Sequence, residues 1–116
     1  MKERAITDKI MRALRQRGIY VVKIHGGPMQ QAGLPDLYCC VCGWSLWLEV
    51  KRPGEQPTPL QRYETDKLKN AGAYAEVVTS VDGAIAAVCC VLNERGFYYP
   101  DTFPETKPGE IYERPA

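Results

Sequence analysis

Three residues of this chain have types and spacing that suit chemistry: Asp36, Glu49 and Lys51, set as Asp-x₁₂-Glu-x-Lys. The segments that hold them read as two strands, residues 36–42 and 45–51, joined by Gly43-Trp44. Glycine at the first central position suits a type II′ turn, whose twist matches its flanking strands. That turn predicts Asp36 opposite Lys51, Tyr38 opposite Glu49 and Cys42 opposite Ser45. Opposed residues share a face of a sheet, and the face alternates at every residue along each strand. Asp36, Glu49 and Lys51 therefore fall on one face, at one end of the hairpin. Their expected Cβ separations are about 5 Å for Asp36–Lys51 and roughly 7–8 Å for Asp36–Glu49. Two carboxylates so placed can converge on a hard cation such as Mg²⁺, which keeps several waters and needs few protein ligands. An ammonium beside them suits a reaction that develops negative charge. The opposite face carries Leu37, Cys39, Val41, Leu46, Leu48 and Val50, and belongs to a core. A plainer reading makes Asp36–Lys51 a cross-strand ion pair, worth under about 1 kcal/mol if exposed. It leaves Glu49 without a partner on the same face.

The flanking segments must position this hairpin. Residues 3–17 read as a helix with Ile6, Ile10, Ala13 and Leu14 on one side, stopped by Gly18. Residues 19–24 are β-branched and aromatic, and their near-continuous apolarity predicts a central strand covered on both faces. Residues 25–34 have no usable period, and a loop of that length beside a candidate site is more often functional than accidental. After a turn-rich link over 52–57, Thr58-Pro59-Leu60-Gln61 reads as a capping box opening a helix over 59–71. Leu60, Tyr63, Leu68 and Ala71 are its expected buried side. Residues 73–78 are a further strand. Ser80 then caps a third helix, in which Val81, Ala84, Ile85, Val88, Cys89 and Leu92 repeat at helical spacing. The fold class is α/β, in the order α-β-β-β-α-β-α, with a mixed sheet flanked by helices on both faces. Residues 1–95 form the expected domain. Residues 96–116, cut by prolines but bearing Phe97, Tyr98, Tyr99, Phe103 and Tyr112, read as an extended arm that packs on the domain or on a partner.

Composition narrows the class. A chain of 116 residues is one domain, long enough for a single core. No apolar run approaches a membrane span and Met1-Lys2-Glu3 opens no signal peptide, so the expected compartment is the cytoplasm. The net charge of +1 is uneven. Residues 1–24 hold Lys2, Arg4, Lys9, Arg12, Arg15, Arg17 and Lys23 against Glu3 and Asp8. A basic amino-terminal segment is compatible with a polyanion, although exposed helices are commonly basic for solubility. The five cysteines (Cys39, Cys40, Cys42, Cys89, Cys90) have no Cys-x-x-Cys spacing and no neighbouring His, and read as reduced thiols.

Asp-x₁₂-Glu-x-Lys beside a glycine-rich loop resembles the PD-(D/E)xK nuclease superfamily, with a restriction-endonuclease-like fold. Within it the chain is similar to short stand-alone members of the VRR-NUC family. The resemblance rests on Gly33-Leu34-Pro35-Asp36-Leu37, on Leu48-Glu49-Val50-Lys51-Arg52, on Gln61 and on the order of elements, and covers residues 3–92. It implies phosphodiester hydrolysis in DNA, structure-selective for branched molecules, with Mg²⁺ as cofactor and Mn²⁺ able to replace it. Catalytic residues would be Asp36, Glu49, Lys51 and Gln61. Metal ligands would be Asp36, Glu49, the Val50 carbonyl and Glu3, although Glu3 reads first as an ordinary helix-start acid and Gln61 also reads as a capping residue. His25, Arg52, Arg62 and Lys67 could follow the nucleic-acid backbone or simply be solvated. The resemblance further implies a phage or prophage source. Net charge near zero argues against tight non-specific binding by one copy, so a homodimer that doubles the basic surface is expected. No membrane and no small-molecule cofactor are expected. Two other classes remain open on sequence: a non-catalytic DNA-binding module on a nuclease scaffold, and a cysteine-metal interaction protein.

Overall fold

The hairpin forms one step away from the expected register. A computed structural model describes residues 1–27 and 31–96, and its central strands are β2 (Leu37–Val41) and β3 (Trp44–Val50). They pair as Leu37 with Leu48, Cys39 with Leu46 and Val41 with Trp44, so the turn residues are Cys42 and Gly43. Both have positive φ, 48° and 88°, as a type I′ turn requires, in place of the type II′ turn centred on Gly43-Trp44. The earlier turn draws Trp44 into β3, where the Arg95 guanidinium lies over its ring, 3.6 Å from the centroid. That stacking offsets part of the left-handed strain at Cys42. The register moves by one residue on each strand, so every side chain keeps its predicted face. One step beyond the last ladder pair, Asp36 now stands across from Glu49 rather than Lys51.

The remaining strands complete a four-stranded mixed sheet in the order β1-β2-β3-β4. The strand β1 (Tyr20–Lys23) pairs antiparallel with β2, and β4 (Tyr74–Val78) pairs parallel with β3. The expectation of a central β1 is corrected: it is an edge strand, with Tyr20 exposed and only Val21 buried. Four apolar residues in a row do not distinguish a doubly covered strand from an edge strand whose outer face is left open. The parallel β3–β4 pair requires a crossover, and the helix α2 (Pro59–Asn70) supplies it.

The core lies on the apolar face of the hairpin. Helices α1 (Glu3–Gln16) and α3 (Val81–Glu94) bring Ile6, Ile10, Leu14, Ile85, Val88 and Leu92 against Leu37, Cys39, Val41, Leu46, Leu48 and Val50. Ser80 caps α3 by accepting from the Gly83 N–H at 3.1 Å. The opposite face carries α2, and there a second expectation is corrected. Leu60 and Tyr63 are 47% and 59% exposed, Ala71 is exposed and Leu68 is half-buried, while the buried residue of α2 is Glu64. The inward line of α2 runs Gln61, Glu64, Leu68, and it is polar at the end that faces the carboxylates. Among the described residues no helix is long and apolar enough to cross a membrane. The arm read over 96–116, with its aromatic residues, lies outside the described residues from 97 onward.

The strain at Cys42 is testable. Asn tolerates the left-handed region, and Asn-Gly is the preferred type I′ pair. Cys42→Asn should raise stability by about 0.5–1 kcal/mol in a thermal or denaturant melt. A loss of stability would show that Cys42 is not held in that conformation.

Candidate active site

The site is built where β2 begins and β3 ends. Pro35 is buried and leads the chain into Asp36, whose backbone carbonyl accepts from the Ile24 N–H at 2.8 Å. The Asp36 side chain turns across the hairpin, and its Oδ2 accepts from the Val50 N–H at 2.8 Å. A carboxylate oxygen thus takes the place of a ladder carbonyl and is pinned to the neighbouring strand. Glu49 projects from β3 on the same face and is 3% exposed. Its Oε1 accepts from Gln61 Nε2 at 3.1 Å and lies 3.6 Å from Lys51 Nζ. Its Oε2 is buried and has no hydrogen-bond partner among the described residues. Burial, then repulsion from Asp36, push the Glu49 carboxyl up to about 8, with Lys51 pulling it the other way. Lys51 is itself buried, and its backbone N–H donates to the Val78 carbonyl at 3.0 Å, which locks the end of β3 to β4.

Gln61 performs both roles that its position suggested. Its backbone N–H donates to Thr58 Oγ1 at 3.1 Å, and its Oε1 accepts from the Thr58 N–H at 2.9 Å, closing the capping box. The remaining amide nitrogen is the donor to Glu49. Loop residues 31–35 are seated by Gly33, whose φ is +86°. A Cβ at Gly33 would lie 2.7 Å from Leu60 Cγ, 3.1 Å from the Leu60 carbonyl and 3.2 Å from Glu64 Cγ. Only glycine lets the loop that delivers Asp36 sit this close to α2.

Among the described residues, none of the other sequence-predicted ones except Val50 hydrogen-bonds to Asp36 or Glu49. Glu3 is half-buried in the first turn of α1 and close enough for its charge to act on Arg52. Yet among the described residues no three His, Cys, Asp or Glu side chains gather to hold a cation, so Glu3 does not join Asp36 and Glu49. Val50 contributes its N–H to Asp36. Arg52 is exposed, and its Nε and N–H donate to Glu55 Oε1 at 2.6 and 3.0 Å. Arg62 reaches Gln56 Oε1 at 3.5 Å, and Lys67 lies over the Tyr63 ring and 3.9 Å from Glu64 Oε1. His25 is exposed in the loop after β1. Cys39 and Cys89 are buried in the core, and burial pushes the Cys39 thiol up to about 12. The sequence reading missed Glu64, which its one-turn spacing from Gln61 would have placed on the same side of α2.

No family model matches the sequence, and no curated protein matches it. Solved structures do. One described as a VRR_NUC domain is 24% identical, covers 82% of this chain and 97% of its own, and superposes with a TM-score of 0.62. A second, a VRR_NUC domain protein, is 18% identical, covers 91% and 98%, and superposes with a TM-score of 0.70. The fold is that of VRR-NUC domains. The family resemblance read from Gly33–Leu37, Leu48–Arg52 and Gln61 and the three-dimensional likeness agree, the first from short motifs and the second from nearly the whole chain.

Two outcomes are expected. A carboxyl with a folded pKa above its ordinary 4.5 binds its proton more tightly in the folded chain. Stability therefore falls as pH rises from about 4.5 to about 8. With EDTA present, wild type should lose stability relative to Glu49→Gln over that window; parallel pH curves would show Glu49 ionising freely. Separately, Gly33→Ala should destabilise the protein by more than about 1 kcal/mol, because positive φ and a backbone contact both oppose a side chain. A neutral result would separate the loop from α2.

Proposed function

We propose that this chain is a metal-dependent endonuclease that hydrolyses phosphodiester bonds in DNA, with a preference for branched or otherwise distorted structures. The observation that carries this reading is Glu49 Oε2, a buried oxygen without a donor, on a carboxylate that faces Asp36. A buried acceptor in that state requires compensation. Without a cation that compensation is a proton shared with Asp36, which helps to raise the Glu49 carboxyl. A hard divalent cation fits the same place, because it lets both carboxylates ionise and supply oxygen ligands. Mg²⁺, or Mn²⁺ in its place, would be held by Asp36 and Glu49.

A bound cation of this kind supplies Lewis-acid polarisation of the phosphoryl oxygen and acidifies a coordinated water. The rest falls to the chain. Asp36 is kept in place by Val50 and Glu49 by Gln61, so neither carboxylate can rotate away when the substrate phosphate approaches. Lys51, drawn toward Glu49 and mostly removed from solvent, presents a fixed positive charge to the oxygens that gain charge in the transition state. Arg52, at the strand end, reaches a phosphate only by giving up its pairing with Glu55. The homodimer is part of the same proposal. Its support is the low net charge of one copy and the exposed Leu60, Tyr63 and Val77 on the side of the sheet that carries the site.

Labelled junction, flap, nicked and linear DNAs incubated with Mg²⁺ or EDTA test the reading. Cleavage should depend on Mg²⁺ and be lost in Asp36→Ala and Glu49→Ala, with both variants still folded. Lys51→Ala should lower turnover by at least 100-fold, a magnitude on the order of one lost transition-state contact, and should spare binding measured in Ca²⁺. Near wild-type cleavage by either carboxylate variant would remove that residue from the site. Binding without cleavage by the wild type would make the chain a DNA-binding module, and a monomer by light scattering that is fully active would end the dimer proposal.

A further inference from the structure

A cavity of about 340 Å³ opens where the start of α1, the segment after β3 and the turn from β4 into α3 meet. Met1, Ile6, Pro53 and Val81 give it apolar walls, Thr79 and Ser80 line it while turning little polar surface into it, and Lys9 is its charged side chain among the described residues. The mechanism above uses none of these groups. The size is at the small end of ligand sites, which run from roughly 300 to 1,000 Å³. Walls this apolar suit the face of a flat ring rather than an ion.

Its position ties it to the carboxylates. Pro53 lies two residues beyond Lys51, and Thr79, Ser80 and Val81 directly follow Val78, the residue bonded to the Lys51 N–H. At about 3.3 Å per extended residue, the Pro53 wall stands at most roughly 7 Å along the chain from Lys51. The cavity therefore lies at the sheet end that carries the carboxylates, on the α1 and α3 side, where a strand leaving Asp36 and Glu49 can reach it. Charge decides between occupants. Lys9 sits in helical register with Lys2 and Arg12, at spacings that share one side of α1, and all three are exposed. That side attracts the phosphates on both flanks of a base, whereas an apolar peptide would gain nothing from it.

We propose that the cavity receives an unpaired nucleobase close to the cleaved bond, and that this contact selects distorted DNA over continuous duplex. A stacked, paired base enters only after unpairing, while a bulged, flapped or mismatched base is already available. The inference rests on the nuclease reading.

The test uses the full chain and two duplexes, identical except that the single bulged nucleotide carries a thymine in one and is abasic in the other. A series of each, with the bulge moved along the strand, locates the cut relative to the bulge. Wild type with Mg²⁺ should cut the thymine bulge roughly tenfold more efficiently in kcat/KM than the abasic one, the size of one stacking contact. Thr79→Phe, made at an exposed position, fills the cavity and should cut both at the lower rate with an unchanged kcat. Equal rates on the two bulges by wild type overturn the pocket and leave the nuclease standing. Cleavage of no substrate by wild type, with Mg²⁺ or Mn²⁺, overturns the nuclease and the pocket with it. A persistent thymine preference in folded Thr79→Phe overturns the cavity as its source. So does a changed oligomeric state without a changed preference, which would assign the cavity to a contact between copies. Should Thr79→Phe fail to fold, the comparison of the two bulges in wild type decides the matter alone.

Discussion

Two carboxylates are held facing each other across the end of a hairpin, and one of them is buried. Left to relax, such a pair separates or takes up a proton, because burial and like charge both disfavour the ionised form. The surrounding structure prevents the first outcome. The Val50 N–H holds Asp36, Gln61 holds Glu49, and the Lys51 chain is bonded into β4 so that its ammonium stays beside the pair. Behind them Leu37, Leu48 and Val50 are fully buried, so the backbone that carries these side chains cannot shift without opening the core. The destabilisation stored at the site is carried by packing on the other face of the same two strands.

Much of this was legible in the sequence because strand parity is robust. A turn at Gly43-Trp44 is one residue too late, and Asp36 faces Glu49 rather than Lys51. Even so, moving a two-residue turn by one position shifts both strands together and leaves every residue on its face. The apolar stripes of α1 and α3 were equally readable, since both helices pack on a core and their periodicity reports it. The capping box at Thr58 was readable because it is local.

The failures are physical and lie at particular residues. Periodicity assigned the apolar line of α2 to the interior, yet Leu60 and Tyr63 are exposed and Glu64 is buried. Apolar patterning assumes that the neighbouring surface is apolar, and α2 faces carboxylates. Departure from a local rule is expected at a functional site, where stability is given up for chemistry. The edge position of β1 was unreadable for a different reason: nothing in Tyr20–Lys23 says which neighbours the strand acquires, and Tyr20 is left open to solvent. The close approach of Gly33 to α2 was also invisible, since it depends on where a helix docks rather than on the loop itself.

The remaining link is between the helix and the acid. All three hydrogen-bonding groups of Gln61 nearest the site are engaged: its N–H and side-chain oxygen with Thr58, and its amide nitrogen with Glu49. The first two fix the amide orientation, so the nitrogen has one direction left to point. The start of α2 and the Glu49 carboxylate therefore cannot move independently. Gly33 lies against Leu60 and Glu64 of that helix, and Asp36 follows it by three residues. Both carboxylates are in this way referenced to one helix, although they come from different strands. A displacement of α2 would then reach Glu49 directly through Gln61, and Asp36 only through the loop at Gly33. The hairpin fixes where the two carboxylates start, and α2 fixes where Glu49 points.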